Sequence, residues 1–271
     1  MRFATWNLSH AVKHGKDQRA EAWQHLGTLG IDVASVQEAG WPFGFVKSYV
    51  VGPKRGPKDW LTAIVSYSPP LRELDQPLRP SWNRKAEFHI PDAARDGTLA
   101  IAIVDFPGAR PIVAASLYGM LRYADQSVLR AASDLLPLFD TPLRKRVILA
   151  GDFNIHTHSN IEAERRRARP ILDLFESIGL HDLVHHAKDA GLLKQGVQHD
   201  LQSCPCGAPD CSHVRTHRHS RHAKGTMANN DYVFATDDLV DRLQSFDILN
   251  GDDDPSWRHS DHAPMIAEFA L

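Results

Sequence analysis

Short polar motifs stand beside apolar runs along nearly the whole chain: Trp6-Asn7, Gln37-Glu38, Gly151-Asp152-Phe153-Asn154, Asn230-Asp231-Tyr232 and Ser260-Asp261-His262. The runs have the length of buried strands, so the polar residues fall at strand ends. Delivering Asn, Glu, Asp and His to strand ends from five distant places is how a metal-dependent active site is assembled at the edge of a sheet. Carboxylates gathered beside an amide and an imidazole suit an oxygen-loving cation and a phosphate ester.

Length and composition leave room for one large globular fold. The 271 residues can bury a sizeable core, and the 42% hydrophobic and 24% charged content is that of an ordinary globular protein. Motifs at both ends that serve one site argue for a single domain over 1–271. The formal net charge of −2 gives no global basic field of the kind that announces a nucleic-acid binder, although a local basic groove fits inside a neutral total. No stretch reads as a signal peptide or membrane span, and three cysteines make no disulfide framework. The expectation is a monomeric cytoplasmic protein with no membrane partner.

Apolar patterning predicts strands over 2–8, 32–37, 63–67, 84–90, 99–106, 112–117, 147–150, 231–235, 246–249 and 265–269. Asp17 reads as the N-cap of a helix that presents Ala20, Trp23, Leu26 and Leu29 on one face and stops near Gly30. Val128, Ala132, Leu135 and Phe139 mark a second helix, and Ile171, Leu174, Phe175 and Ile178 a third, ended by Gly179. Residues 40–60 read as loop, and the charged stretch 162–169 as a solvated helix face. Residues 185–229 are rich in His, Cys and Gly and read as a long loop insertion pinned by a metal. The class is α/β (α+β): two mixed β-sheets packed face to face, with helices outside.

The order and wording of the motifs resemble the endonuclease/exonuclease/phosphatase superfamily, over nearly all of the chain from Phe3 to His262. A lone GDFN or SDH is common; the ordered series carries the resemblance. It implies a four-layer sandwich and an Mg²⁺- or Mn²⁺-dependent hydrolysis of phosphodiesters. Glu38 closes a buried strand and is the best metal-ligand candidate, where a bland reading would make it a surface residue opening a loop. Asn7 would supply a neutral oxygen to the same ion or its waters, and Asp261 would face the metal as ligand or water holder. Asp152 and Asn154, two apart on an extended chain, lie on one side. By resemblance, Asp152 orients or deprotonates the attacking water and Asn154 donates to a phosphate oxygen; alone, the stretch reads equally as an Asx turn. Asp231 and His262 read as a carboxylate–imidazole pair in which the aspartate fixes the tautomer and keeps the ring charged. Tyr118, ending its strand, resembles a tyrosine that contacts phosphate in exonuclease III-type relatives. Ser9, the Gly119-Met120-Leu121 stretch and Asn229-Asn230 depart from the recognition motifs of those relatives.

All three cysteines cluster in Cys204-Pro205-Cys206 and Cys211, followed by His213. Three thiolates and an imidazole make a tetrahedral structural Zn²⁺ site, although Cys-x-Cys is not the usual spacing. The alternatives are free thiols in a loop, or His217, His219 or His222 as ligands. A basic stretch runs from Arg215 to Lys224 and leads to Asp231, so Arg215, Arg218 and Arg221 are candidates to hold substrate phosphates. A nuclease acting on DNA or RNA is therefore the first expectation, and a small-molecule or lipid-headgroup phosphoesterase the alternative. A non-catalytic binding module built on the Cys/His loop would not need Glu38, Asp152, Asn154, Asp231 and His262 in order.

Overall fold

The computed structural model describes residues 1–9, 16–40, 44–52, 60–74, 78–80, 82, 85, 87, 97–159, 161–194, 204, 211–218 and 228–271. Among these the strands are β1 (Arg2–Asn7), β2 (Val33–Ala39), β3 (Ser48–Val51), β4 (Leu61–Ser66), β5 (Leu71–Glu73), β6 (Leu99–Val104), β7 (Ile112–Tyr118), β8 (Val147–Asp152), β9 (His181–Asp182), β10 (Asp231–Ala235), β11 (Leu243–Ile248) and β12 (Met265–Phe269). The α-helices are α1 (Lys16–Thr28), α2 (Ala124–Phe139), α3 (Glu162–Ser177), α4 (Leu183–Asp189) and α5 (Asp237–Val240).

The strands form two six-stranded sheets, in the orders β11-β12-β1-β2-β4-β3 and β5-β6-β7-β8-β10-β9. Each has one parallel pair at its centre, β1 with β2 and β7 with β8. A parallel pair needs a crossover of helix length, and α1 and α2 supply the two crossovers. The remaining pairs are antiparallel, so each sheet is mixed.

Three apolar clusters separate four layers. On the outer face of the first sheet, Ala22, Trp23 and Leu26 of α1 pack on Trp6, Val36 and Ala63. Between the sheets, Phe3, Val33 and Ile64 belong to one core with Ala102, Ile148 and Val233. Beyond the second sheet, Val128 and Leu135 of α2 and Ile171 and Phe175 of α3 cover Val113, Leu149 and Phe234. Two packed mixed sheets flanked by helices are the architecture expected from the sequence.

Several boundaries differ. Residues 40–60 contain the edge strand β3, where Ser48-Tyr49-Val50-Val51 pairs with β4 alone; one buried valine anchors it, too weak a pattern to stand out. The charged stretch 162–169 is, as expected, a solvated helix face, the first half of α3, with only Ala168 turned inward. Residues 185–189 are helical: Asp182 caps α4 by accepting from the N–H of Val184 and His185, and Leu183, Val184 and Ala187 are buried. The irregular segment therefore starts after α4, later than the expected position 185. The strand expected over 84–90 lies outside the described residues except for Lys85 and Glu87, neither of which is in a strand.

A polar seam crosses the inter-sheet core. Gln37 of β2 donates to Ser35 Oγ at 2.7 Å and to Ser116 Oγ of β7 at 2.8 Å. The single Ser35 hydroxyl proton lies within reach of two acceptors, Ser116 Oγ at 2.8 Å and the Ala150 carbonyl of β8 at 3.1 Å. These groups are completely buried and fix how the two parallel pairs face each other, because each would lose its partners if the sheets slid. The same edge of the sandwich carries the C-termini of both parallel pairs and the start of β10.

Candidate active site

The candidate side chains sit at or beside strand ends whose register is fixed by their ladders. Asp152 ends β8, opposite Tyr118 of β7 on one side and Asp231 of β10 on the other. Asn7 ends β1 beside Gln37 of β2. His262 precedes β12 and is tied to β1 from the far end of the chain. The Trp6 indole donates to the His262 carbonyl at 2.8 Å, and the Ser260 hydroxyl donates to the Asn7 carbonyl at 2.6 Å while accepting the His262 N–H. The first and last motifs are thus one hydrogen-bonded unit.

Glu38 shows why a strand end can point a side chain off the regular alternation. The β2–β4 register shifts between Val36 and Ala39, and Glu38 has φ 46°. Such a bulge re-aims a side chain, and the carboxylate reaches across to the second sheet, where the Tyr118 hydroxyl donates to Oε1 at 2.8 Å. Ser9 and Asn154 are the other non-glycine residues with positive φ among the described residues, at 54° and 51°. All three stand at this one edge, each at a cost of about 1–3 kcal/mol that the surrounding ladders offset. Gly151 completes the local geometry: with φ 149°, an added Cβ would stand 1.9 Å from the Leu117 carbonyl oxygen.

Phe153 turns the opposite way to its neighbours. It is completely buried, its ring centroid 5.2 Å from that of Tyr232 and 5.7 Å from that of Phe175. This anchor turns Asp152 and Asn154 the other way, towards Asn7 at the sheet edge.

The carboxylates converge on one amide. Asp152 Oδ2 accepts from Asn7 Nδ2 at 2.8 Å and from Asn154 Nδ2 at 3.0 Å, and Oδ1 accepts the Asn154 N–H at 3.0 Å. Asn7 Nδ2 also stands 3.5 Å from Glu38 Oε1, and its Oδ1 accepts from the Ser9 N–H. The second Asn154 amide hydrogen goes to the Gly119 carbonyl at 2.8 Å. His262 Nδ1 meets Asp231 Oδ2 at 2.8 Å, and its Nε2 faces Asp152 Oδ2 at 3.8 Å. Asp231 Oδ1 is buried without a hydrogen-bond partner.

Burial drives the electrostatics. It pushes the Asp152 carboxyl up to about 8; the His262 charge pulls the other way, and the nearby Asp231 and Glu38 charges add to the rise. Burial alone would lower His262, but the adjoining Asp231 and Asp152 carboxylates override it and raise the ring to about 10. The 2.8 Å contact makes Asp231 its counter-ion, leaving Nε2–H directed at the space beside Asp152. Burial first, and then the Glu38 charge, push the Tyr118 phenol up, so it stays a donor.

Three buried carboxylates, Glu38, Asp152 and Asp231, therefore share this pocket with one imidazolium. Buried carboxylates in excess of their cationic partners are a donor set for a hard divalent cation. The Asn7 NH₂ now bridges two of them, and rotation of that amide would present its oxygen instead.

Sequence reasoning missed two residues. His217 stacks on His262 with centroids 4.5 Å apart, and its Nε2 lies 3.9 Å from Asp261. It stands beside the site and not in the cysteine cluster, where it had been an alternative ligand. Thr216, completely buried, accepts the N–H groups of Asn230 and Asp231 at 3.1 and 3.2 Å. Both lie in an irregular stretch with no periodicity to mark which side faces in. Arg215 and Arg218 converge on Asp252 at 2.7 and 2.8 Å, and the Arg218 guanidinium lies over Trp257 at 4.6 Å. Arg221, Cys206, His219 and His222 lie outside the described residues. Cys204, Cys211 and His213 are brought together, with one ligand atom from each within 4.8 Å of the others.

No helix among the described residues is long and apolar enough to cross a membrane. No family model matches the sequence, and no curated protein matches it. Solved structures do. The endonuclease domain of TRAS1, a telomere-specific non-LTR retrotransposon, is 18% identical with a TM-score of 0.65, covering 100% of this chain and 98% of that one. An AP endonuclease from Archaeoglobus fulgidus is 16% identical with a TM-score of 0.60, covering both chains completely. The endonuclease/exonuclease/phosphatase from Bacteroides vulgatus is 15% identical with a TM-score of 0.60, covering 100% of this chain and 98% of that one. Matched nearly end to end with these proteins, this chain has the fold of the endonuclease/exonuclease/phosphatase superfamily.

Proposed function

We propose that this protein is a divalent-cation-dependent phosphodiester hydrolase, and that its substrate is nucleic acid. The observation that carries the reading is the convergence at Asp152: a buried carboxylate held by two amides, 3.8 Å from the free edge of an Asp231-paired imidazole and beside Glu38. Glu38 and Asn7 would hold Mg²⁺ or Mn²⁺, with Asp261 as an outer carboxylate that holds water. Bound there, the cation supplies positive charge to the non-bridging oxygens of the phosphate.

The remaining work falls to the protein's own groups. Asp152, with its raised proton affinity, accepts the proton of the attacking water. Asn154 holds both Asp152 oxygens and so sets the direction of that acceptor. His262, charged and oriented by Asp231, donates from Nε2 to a phosphate oxygen as charge develops. Tyr118 keeps Glu38 turned inward.

A cavity of about 450 Å³ opens beside Asn154, lined by Arg122, Tyr123, His156 and Arg167. It extends the site beyond a single phosphate, as a polynucleotide requires, and Tyr123 is exposed for stacking. Two of the similar structures are named as endonucleases, which supports the same substrate class. Arg215 and Arg218 would meet phosphates with the N–H groups that Asp252 leaves over. The net charge of −2 favours the second reading, a small-molecule phosphoesterase.

Labelled single- and double-stranded DNA and RNA, incubated with Mg²⁺, Mn²⁺ or EDTA beside Asp152→Ala, test the proposal. Metal-dependent cutting lost in the variant is expected. Inorganic phosphate released from a monoester panel, with nucleic acids intact, would transfer the site to small phosphoesters.

A further inference from the structure

We propose that Cys204, Cys211 and His213 form a structural zinc site that clips residues 211–218 to the strands carrying Asp152 and Asp231. Both sulfurs approach the same ring nitrogen: Cys204 Sγ stands 3.5 Å and Cys211 Sγ 3.2 Å from His213 Nδ1. A neutral imidazole nitrogen has a single lone pair and cannot accept from two thiols well. Donors that crowd together in this way match the ligands of a common ion. With Zn–S near 2.3 Å and Zn–N near 2.0–2.1 Å at tetrahedral angles, bound sulfur and nitrogen stand about 3.6 Å apart. The observed separations fall within a few tenths of an ångström of that value.

The other ring nitrogen is already held. His213 Nε2 meets the Thr157 hydroxyl at 2.8 Å, and Thr157 meets the Tyr232 hydroxyl at 2.9 Å. Zinc-binding histidines are commonly oriented by such a second bond, which leaves the first nitrogen free to coordinate. Here the orienting chain runs to Thr157, just beyond the Asp152 turn, and to Tyr232, the residue after Asp231. The buried Cys211 also lies over the end of α4, where the Lys188 ammonium donates to its carbonyl at 2.9 Å and adds positive charge near the sulfurs. Two thiols and an imidazole that avoid oxygen donors select Zn²⁺ over the cation of the carboxylate site. Coordination takes both sulfurs as thiolates, their protons passing to solvent, and a water or further donor completes the tetrahedron. The consequence is local: the clip holds Val214 to Arg218 in place, and with them Thr216 and His217 beside Asp231 and His262.

Metal analysis of the full chain, purified without added zinc and dialysed against metal-free buffer, tests this. About one zinc per chain is expected. It should persist in Glu38→Ala, which removes a ligand of the other site, and be lost in Cys211→Ser. Wild-type protein exchanged into cobalt gives a second readout that does not depend on the variant folding, a sulfur-to-cobalt charge-transfer band with tetrahedral visible bands. Zinc-free protein without that band overturns the proposal. So does a Cys204–Cys211 disulfide in unreduced protein, or zinc retained undiminished by folded Cys211→Ser.

Discussion

The strand-end site and the segment from Val214 to Arg218 hold functional groups in different ways. Asp152, Asp231 and Asn7 are fixed by sheet register, with Asp231 directly opposite Asp152 and each strand paired along its length. Among the described residues the neighbouring segment pairs only through isolated bridges, His217 with Ala228 and with His262. It is held by separate bonds: Val214 N–H to Asn229 Oδ1, Thr216 and His217 N–H to the Ala228 carbonyl, and Arg218 N–H to the Asp261 carbonyl. A ladder distributes the cost of a lost bond over its neighbours, whereas a cross-linked segment depends on each link. The strand-end groups therefore tolerate local strain, seen in the positive φ of Glu38 and Asn154, while the segment beside them depends on single hydrogen bonds and stacks.

The largest effect should come from the strand-end carboxylates. Asp152→Asn and Glu38→Gln should each lower the hydrolysis rate by roughly 10²–10⁴. The melting temperature should change little, because each loses a charge from a crowded buried site together with part of the hydrogen bonding that the carboxylate accepts. A large fall in melting temperature in either variant would mean that the carboxylates are structural.

Phe153→Ala should cost about 3–5 kcal/mol in denaturant unfolding, since a fully buried ring among Tyr232, Phe175 and Phe234 leaves a cavity that a rigid turn cannot collapse. Activity should fall with it, as Asp152 and Asn154 flank that residue. A loss under 1 kcal/mol would show that the turn is not anchored there.

Asp231→Asn should move the His262 titration, followed by imidazole NMR, downward from about 10 towards the ordinary 6.5. The sign follows from linkage: a histidine raised by folding contributes stability fully present below pH 6.5 and lost as pH rises through the folded value. The variant should lose that contribution at lower pH than the wild type. An unchanged His262 titration would remove Asp231 as its counter-ion.

The smallest effect should come from the cross-linked segment's exposed face. Arg218→Ala removes a partly exposed ion pair and a contact over Trp257, so stability should change by about 1 kcal/mol or less. If the side chain also meets phosphate, the salt dependence of nucleic-acid binding should weaken by about one counterion. A change in neither quantity would make Arg218 a bystander.

The same contrast explains what the sequence disclosed. Asp152, Asp231 and His262 stood out because each adjoins an apolar strand, and strand ends impose direction. Two packed sheets with helices outside followed from the strands and the few helices among them, and the four-layer sandwich from the superfamily resemblance. The bulge at Glu38 was hidden, since nothing in Gln37-Glu38-Ala39 distinguishes a left-handed residue from a regular strand end. The roles of Asn154 and Tyr118 looked like direct phosphate contacts, yet their donors meet Gly119, Asp152 and Glu38. Thr216 and His217 gave no periodic pattern, because their positions come from partners far away in the chain. The edge strands β3 and β5 were missed because they have few buried residues, and the start of α4 because its buried run is short and the Asp182 cap defines it.

The account rests on a cation-assisted attack assembled around Asp152, and the most direct test uses a minimal substrate that needs no recognition elements. Release of p-nitrophenol from bis(p-nitrophenyl) phosphate should require Mg²⁺ or Mn²⁺, stop with EDTA and be abolished in folded Asp152→Ala. Equal rates for wild type and Asp152→Ala, or turnover undiminished by EDTA, would contradict it.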